Sequence, residues 1–202
     1  MLKKILLLAL VLTLPLMAEM KVLAFSGSTR ADSYNKKLVL EAAEMARKAG
    51  ATVTVVDLKD YSLPFYDGDL EAKEGLPAKA KQFQQLMMKN DGIIIASPEY
   101  NASVSAILKN LLDWTSRGEK GGYSAEAFSG KKFAIMSASP GKGGGARSLA
   151  QLRTILEACG GTVIPKQVSV PEASQAFDAQ GKLIDVSMKE QLQQEIQQLL
   201  KS

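Results

Sequence analysis

The side chains able to do chemistry gather in three short stretches of this sequence. The first, Ser26–Asn35 (SGSTRADSYN), carries four Ser or Thr hydroxyls, one guanidinium and one amide. An apolar run precedes it and helical spacing follows it. Its backbone N–H groups therefore stand at a helix start, where they and the positive helix end attract an anion. Ser28, Ser33 and Asn35 can donate to phosphate oxygens, and Arg30 can bind them bidentately. The spacing fits neither a Walker loop nor GxGxxG. A phosphate monoester, with three oxygens to satisfy, suits it better than a bridging pyrophosphate. Capping of the helix by Ser33 or Asn35 accounts for one such residue, not for the whole loop.

The second stretch, Ser97–Ser103 (SPEYNAS), follows a run of isoleucines. Pro98 stiffens the chain there and Tyr100 sets an aromatic ring at the strand end. A flat heterocycle can lie over such a backbone, with N–H and C=O groups reading its edge. The plainer alternatives are a solvated carboxylate at Glu99 and N-caps of the next helix at Asn101 and Ser103. The third stretch, Ser137–Ala146 (SASPGKGGGA), formally matches GxGxxA at Gly141, Gly143 and Ala146. It lies at the fourth strand, however, with no acidic residue about twenty positions on. A glycine-lined wall that lets a ring approach the backbone is the better reading, with a flexible connection as the alternative.

Composition removes several rival chemistries. The 202 residues include no histidine, which excludes an imidazole base, a Ser-His-Asp triad and a His-ligated metal. Cys159 is the one cysteine, so an internal disulfide, a CxxC pair and a cysteine-ligated cluster are excluded as well. What remains is chemistry by hydroxyls, amides, Arg, Lys and carboxylates, or by a borrowed organic cofactor. Apolar residues make up 46% and charged residues 23%, a mix that excludes a disordered chain. The net charge is +4 with no run of five like charges, which argues against nucleic acid and leaves a mild pull on anionic small molecules.

The elements that must position the three stretches alternate regularly. Lys21–Ser26, Thr52–Leu58, Gly92–Ser97, Lys132–Ser137 and Thr162–Val170 read as strands, the last interrupted by Pro165. Between and after them, helical stripes run through Leu38–Ala49, Ala78–Asn90, Val104–Leu112, Leu149–Cys159 and Leu192–Leu200. Strict β–α alternation implies a parallel sheet covered on both faces. Five strands and five helices predict a flavodoxin-like, doubly wound α/β fold. Ligands in such sheets sit beyond the carboxyl ends of the strands, where all three polar stretches fall.

Residues 1–19 form a separate problem. Lys3 and Lys4 precede an apolar run from Ile5 to Met17, then Ala18 and Glu19, the layout of a signal peptide or anchor. The run is too short to span a membrane, which takes about 20 residues. The competing reading is a start at Met20, which opens MKVLAFSGSTR as a natural first strand. We favour the signal or anchor, implying export or tethering; a start at Met20 implies a cytoplasmic protein. The folded domain then runs from 20 to 202.

GSTRADSYN after a strand, SPEYNASVSAILKNLLDW and SASPGKGGGAR, in this order, resemble the NADPH-dependent FMN reductases, in particular their chromate, quinone and azo reductase branch. DLKDYSLPFYD also looks like that family's segment after the second strand. The resemblance implies bound FMN, NAD(P)H as donor, small-molecule electron acceptors and a homodimer or homotetramer. It implies that Ser28, Arg30, Ser33 and Asn35 hold the FMN phosphate. Pro98, Glu99, Tyr100 and Asn101 would border the isoalloxazine, with Ser139, Gly141 and Gly144 on the opposite rim. It names no catalytic side chain and no metal ligand, since the flavin carries the redox chemistry, with donor and oxidant using one face in turn. Three departures stand out: Ser105-Ala106 where relatives often have Pro-Gly, the glycine-rich connection Gly118–Gly130, and the leader. Arg117 and Arg147 are candidates for the 2′-phosphate of NADPH or for surface ion pairs. Trp114 reads as core or subunit interface, and Cys159 as a small apolar packing residue. The rivals are a non-enzymatic electron carrier, whose acidic docking face conflicts with the basic balance, and an FMN-binding module without turnover.

Overall fold

Isoleucine- and valine-rich runs form the sheet because helices cover both of its faces. The structure, a computed structural model, describes residues 19–201, so the signal-like stretch other than Glu19 lies outside the described residues. Strands β1 (Lys21–Ser26), β2 (Thr52–Val56), β3 (Gly92–Ala96) and β4 (Lys132–Ala138) pair in parallel in the order β2-β1-β3-β4. Every residue of β3 is buried. Ile94 packs with helices α1 (Tyr34–Lys48) and α7 (Val186–Lys201), the latter preceded by the single-turn α6 (Ala173–Ala176). Ile93 and Ile95 pack with α3 (Ala78–Met88), α4 (Ala106–Thr115) and α5 (Ala146–Ala158). Each such isoleucine contributes roughly 1.5–3 kcal/mol by leaving water. The doubly wound arrangement expected from the alternation is therefore present.

The fifth strand is broken in two, as Pro165 foretold. β5 (Thr162–Val163) and β6 (Val168–Val170) both pair with β4. Lys132 faces Thr162 but Met136 faces Val168, so the outer strand carries two extra residues between those points. Pro165 has no N–H to give the ladder. Side chains replace the lost pairing. Arg153 donates to the carbonyls of Val163 and Ile164 at 3.0 and 2.7 Å, and Gln198 accepts the Lys166 amide at 2.9 Å. Glu195 of α7 is fully buried at this gap. The amides of Ile135 and Val168 favour its charged form, yet neither carboxylate oxygen reaches a hydrogen bond of ordinary geometry. Burial outweighs those donors and Lys166, and pushes the carboxyl well above its usual range.

Two local expectations change. Helix α2 (Gly68–Glu74) appears where the sequence offered no apolar stripe; Asp67 caps it by accepting from the amides of Asp69 and Leu70. The N-cap of α4 is Ser105, not Asn101 or Ser103. The Ser105 hydroxyl accepts from the Leu108 amide at 3.3 Å and donates to the Gly27 carbonyl at 2.6 Å. A serine in the place of the relatives' proline thus ties α4 to the loop after β1. Among the described residues no helix is long and apolar enough to cross a membrane.

Candidate functional site

The loops after β1, β3 and β4 meet at the carboxyl rim, where strand order reverses between β1 and β3. Gly27 donates to the Ala96 carbonyl at 2.9 Å, which pins the first loop beside the second. The approach is close: a Cβ on Gly27 would lie 3.0 Å from Leu108 and 3.3 Å from Pro98. Between the loops lies a cleft of about 240 Å³. Ser28, Arg30, Ser33, Asn35, Pro98, Glu99, Tyr100 and Ser139 line it, together with Tyr34, Ala138 and Pro140. Larger hollows exist, one of about 460 Å³ beside Lys166 and Gln194, but that one is walled by solvated lysines and glutamines and has no helix start aimed into it.

The α1 end of this cleft is made for an anion. Ser33 is the N-cap of α1 with extended backbone, and its hydroxyl makes no capping bond. The amides of Tyr34, Asn35 and Lys36 follow, in the first turn, where a helix leaves its N–H groups unpaired. Arg30 is exposed and makes no ion pair among the described residues; its guanidinium donates to the Asp32 carbonyl at 3.5 Å. Ser28 is buried and accepts from the Arg30 amide at 3.3 Å. A phosphate monoester fits this donor set of two hydroxyls, one guanidinium and a helix start. Asn35 has a different task. Its Nδ2 donates to the Ala138 carbonyl at 2.9 Å and its Oδ1 accepts from the Ala138 amide at 3.0 Å. It ties the start of α1 to the end of β4 and leaves one amide hydrogen over.

The opposite wall is stiffened from α5. The N-cap of α5 is Gly145, left-handed at φ 89°, where a Cβ would run into the Ser137 hydroxyl. With no side chain at the cap, Glu99 supplies the acceptor. Its carboxylate takes the amides of Arg147 and Ser148 at 3.1 and 3.3 Å and pairs with the Arg147 guanidinium through Nε at 2.8 Å and through Nη2. Burial alone would raise the Glu99 carboxyl; Arg147 and the two amides together hold it below the usual carboxylate range.

Three expected border residues do not line the cleft. Asn101 is exposed on a turn at φ 51°. Gly141 points a bare Cα toward the Ser139 hydroxyl. Gly144 packs on the backbone of Ser169 to Pro171, so close that a Cβ would lie 2.9 Å from Pro171 N. Sequence reasoning did not single out Tyr34, Ala138 and Pro140 in the lining, nor Gly145 and Gln151 behind the walls, and it marked Ser105 only as a departure from the relatives. For Gly145 the signal was present in the sequence, as three glycines directly before a helical stripe.

The family model for NADPH-dependent FMN reductases matches residues 20–175. The chain belongs to this family. It is 36% identical over 182 residues to the NAD(P)H-dependent FMN reductase of Pseudomonas aeruginosa, covering 90% of this chain and 94% of that one. It is also 36% identical over 184 residues to the NADPH:quinone oxidoreductase of Arabidopsis thaliana, covering 86% and 87%. Among solved structures it resembles the flavoenzyme NAD(P)H:(acceptor) oxidoreductase FerB of Paracoccus denitrificans, with a TM-score of 0.76 and 26% identity over 90% of this chain and 96% of that one. An FMN reductase of this kind is an oxidoreductase with NAD(P)H as donor.

Other sequence candidates find their places. Arg147 is engaged with Glu99. Arg117 donates from Nε to both Glu71 oxygens at 3.1 and 3.2 Å, and Glu71 also accepts from Tyr66 and from the Gly122 amide. Both are ion pairs. The Gly118–Gly130 connection joins α4 to β4 at the amino rim, away from the cleft. Trp114 is fully buried core, its indole donating to the Pro64 carbonyl at 2.8 Å. Cys159 closes α5 half-buried, and burial pushes its thiol up.

Proposed function

We propose that this chain holds FMN in the cleft at the carboxyl rim and carries electrons from NAD(P)H to quinone-type acceptors, with azo compounds and chromate as further candidates. The observation behind this reading is the union, in one cleft of about 240 Å³, of a helix start with hydroxyl and guanidinium donors and two loop walls, Pro98 to Tyr100 and Ala138 to Pro140. Ser28, Arg30, Ser33 and the first amides of α1 bind the phosphate. Pro98 to Tyr100 and Ala138 to Pro140 flank the ring. When bound, FMN supplies the hydride and electron chemistry. The chain contributes orientation, fixing ring and donor in a productive pose. A backbone N–H of these walls that met the ring edge would favour negative charge there, and one such oriented donor is typically worth about 2–4 kcal/mol. We further propose a homodimer or homotetramer, supported by the exposed Phe65 and Tyr123, and checked by light scattering. Residues 1–19 would direct export or tethering, which the mass of the mature amino terminus decides.

The test is the absorbance spectrum of the purified protein, then NADPH oxidation with benzoquinone. A yellow protein that releases FMN and turns over both substrates supports the reading; a protein that stays colourless after reconstitution defeats it.

A further inference from the structure

The hairpin after β3 is held in a conformation that one of its own residues resists. Tyr100 and Ser103 exchange backbone hydrogen bonds at 3.0 Å, each amide donating to the other's carbonyl. The two residues between them, Asn101 and Ala102, have φ of 51° and 61°. Asparagine tolerates left-handed backbone, but the Cβ of an alanine opposes it. No glycine stands here to relieve the turn. The restraint comes instead from α5. Gln151 donates from Nε2 to the Ala102 carbonyl at 2.7 Å and accepts at Oε1 from the Ser103 hydroxyl at 2.6 Å. One turn earlier on the same helix face, Arg147 and Ser148 hold Glu99. The strained turn therefore carries Tyr100, about half exposed, on the cleft wall, and α5 keeps it there.

Resting on the oxidoreductase reading, we propose that Gln151 is a positioning residue of this reaction: by clamping the left-handed turn it fixes Tyr100 at the cleft mouth and so sets the approach of the quinone-type acceptor. Gln151 itself is exposed and does not line the cleft. Its action passes through Ala102 and Ser103. Tyr100 borders the same cleft, but the phosphate anchor lies on a different loop, so loss of the clamp changes FMN retention far less than the entry of the second substrate. Because the turn is strained, the clamp matters only while residue 102 bears a Cβ. That condition separates positioning from general support.

The experiment compares Gln151→Ala, Ala102→Gly and the double variant with the unaltered chain. Alanine is the best helix former, so α5 is kept in Gln151→Ala. In the ligand-free protein, hydrogen exchange at the Tyr100 and Ser103 amides should accelerate about tenfold in Gln151→Ala, since two hydrogen bonds holding a local opening are lost. FMN affinity, read by fluorescence quenching, should stay within about twofold, while KM for benzoquinone rises about tenfold and kcat changes by less than about twofold. Adding Ala102→Gly should return KM most of the way, because a glycine adopts the turn without a clamp. Unchanged exchange and KM in Gln151→Ala overturns the inference. So does a KM rise that Ala102→Gly leaves in place, or a loss of FMN affinity that accounts for it. A colourless chain overturns the oxidoreductase reading and with it the role of the clamp; a yellow, active Gln151→Ala with native exchange overturns the clamp alone.

Discussion

Two helices begin at the same rim of the sheet and treat their starts in opposite ways. The cap of α1 is Ser33, which has a hydroxyl and does not use it on the helix. The cap of α5 is Gly145, which has no side chain, and Glu99 arrives from another loop to take the amides of Arg147 and Ser148. Both helices carry the same partial positive charge at that end. One end is satisfied within the chain; at the other the cap hydroxyl makes no capping bond, and Arg30 makes no ion pair among the described residues. The location of an anion site thus follows from which helix start the protein has already filled.

Four changes break or sharpen this contrast. The largest effect falls on the filled start. Gly145→Ala forces a Cβ into left-handed backbone and against Ser137, so it should cost about 3 kcal/mol or more in urea unfolding, from the backbone and overpacking terms together. Next, Arg30→Ala should lower FMN affinity about 10- to 100-fold in a fluorescence titration, as expected for one lost charge-assisted contact, with circular dichroism unchanged. An unaltered affinity would mean that the open start is not where the phosphate sits.

Third, Glu99→Gln should cost about 1–2 kcal/mol at neutral pH. The carboxyl of Glu99 is depressed in the folded chain. Its stabilisation is therefore present above the unfolded pKa and is lost as pH falls through the folded value. Wild type and variant should converge in acid, and a constant gap would show that the charge is not the cause. The smallest effect is a control of opposite sign. Glu195 is buried with its carboxyl raised, so the folded state holds that proton more tightly than the unfolded chain. Stability is then greatest below the unfolded pKa and declines as pH rises through the folded one. Glu195→Gln should match wild type in acid and exceed it as pH rises, by thermal unfolding across pH.

The sequence made the sheet legible because apolar runs report burial on both faces, and it located the three loops because polar residues at strand ends have few other uses. Pro165 announced the break in the outer strand, but not the two extra residues or the buried Glu195 that accompany it. Helix α2 escaped notice because DLEAKE has no apolar stripe and only its Asp67 cap marks the start. Asn35 looked like a free donor because the residue that engages it, Ala138, is far away in sequence. The plainer alternative for Glu99, a solvated carboxylate, fails for the same reason: its partners are on α5. Residue types at strand ends are local information; which of them are already spoken for is not.

The interruption at Pro165 also governs how copies of this chain can join. An unbroken outer strand offers a row of free N–H and C=O groups onto which a neighbour's strand can zip. Here that row is cut after two residues, and Arg153 and Gln198 already occupy part of it. Among the described residues β2 is the only uninterrupted border of the sheet. Unless subunits meet edge to edge along Thr52–Val56, they must associate through helices and loops.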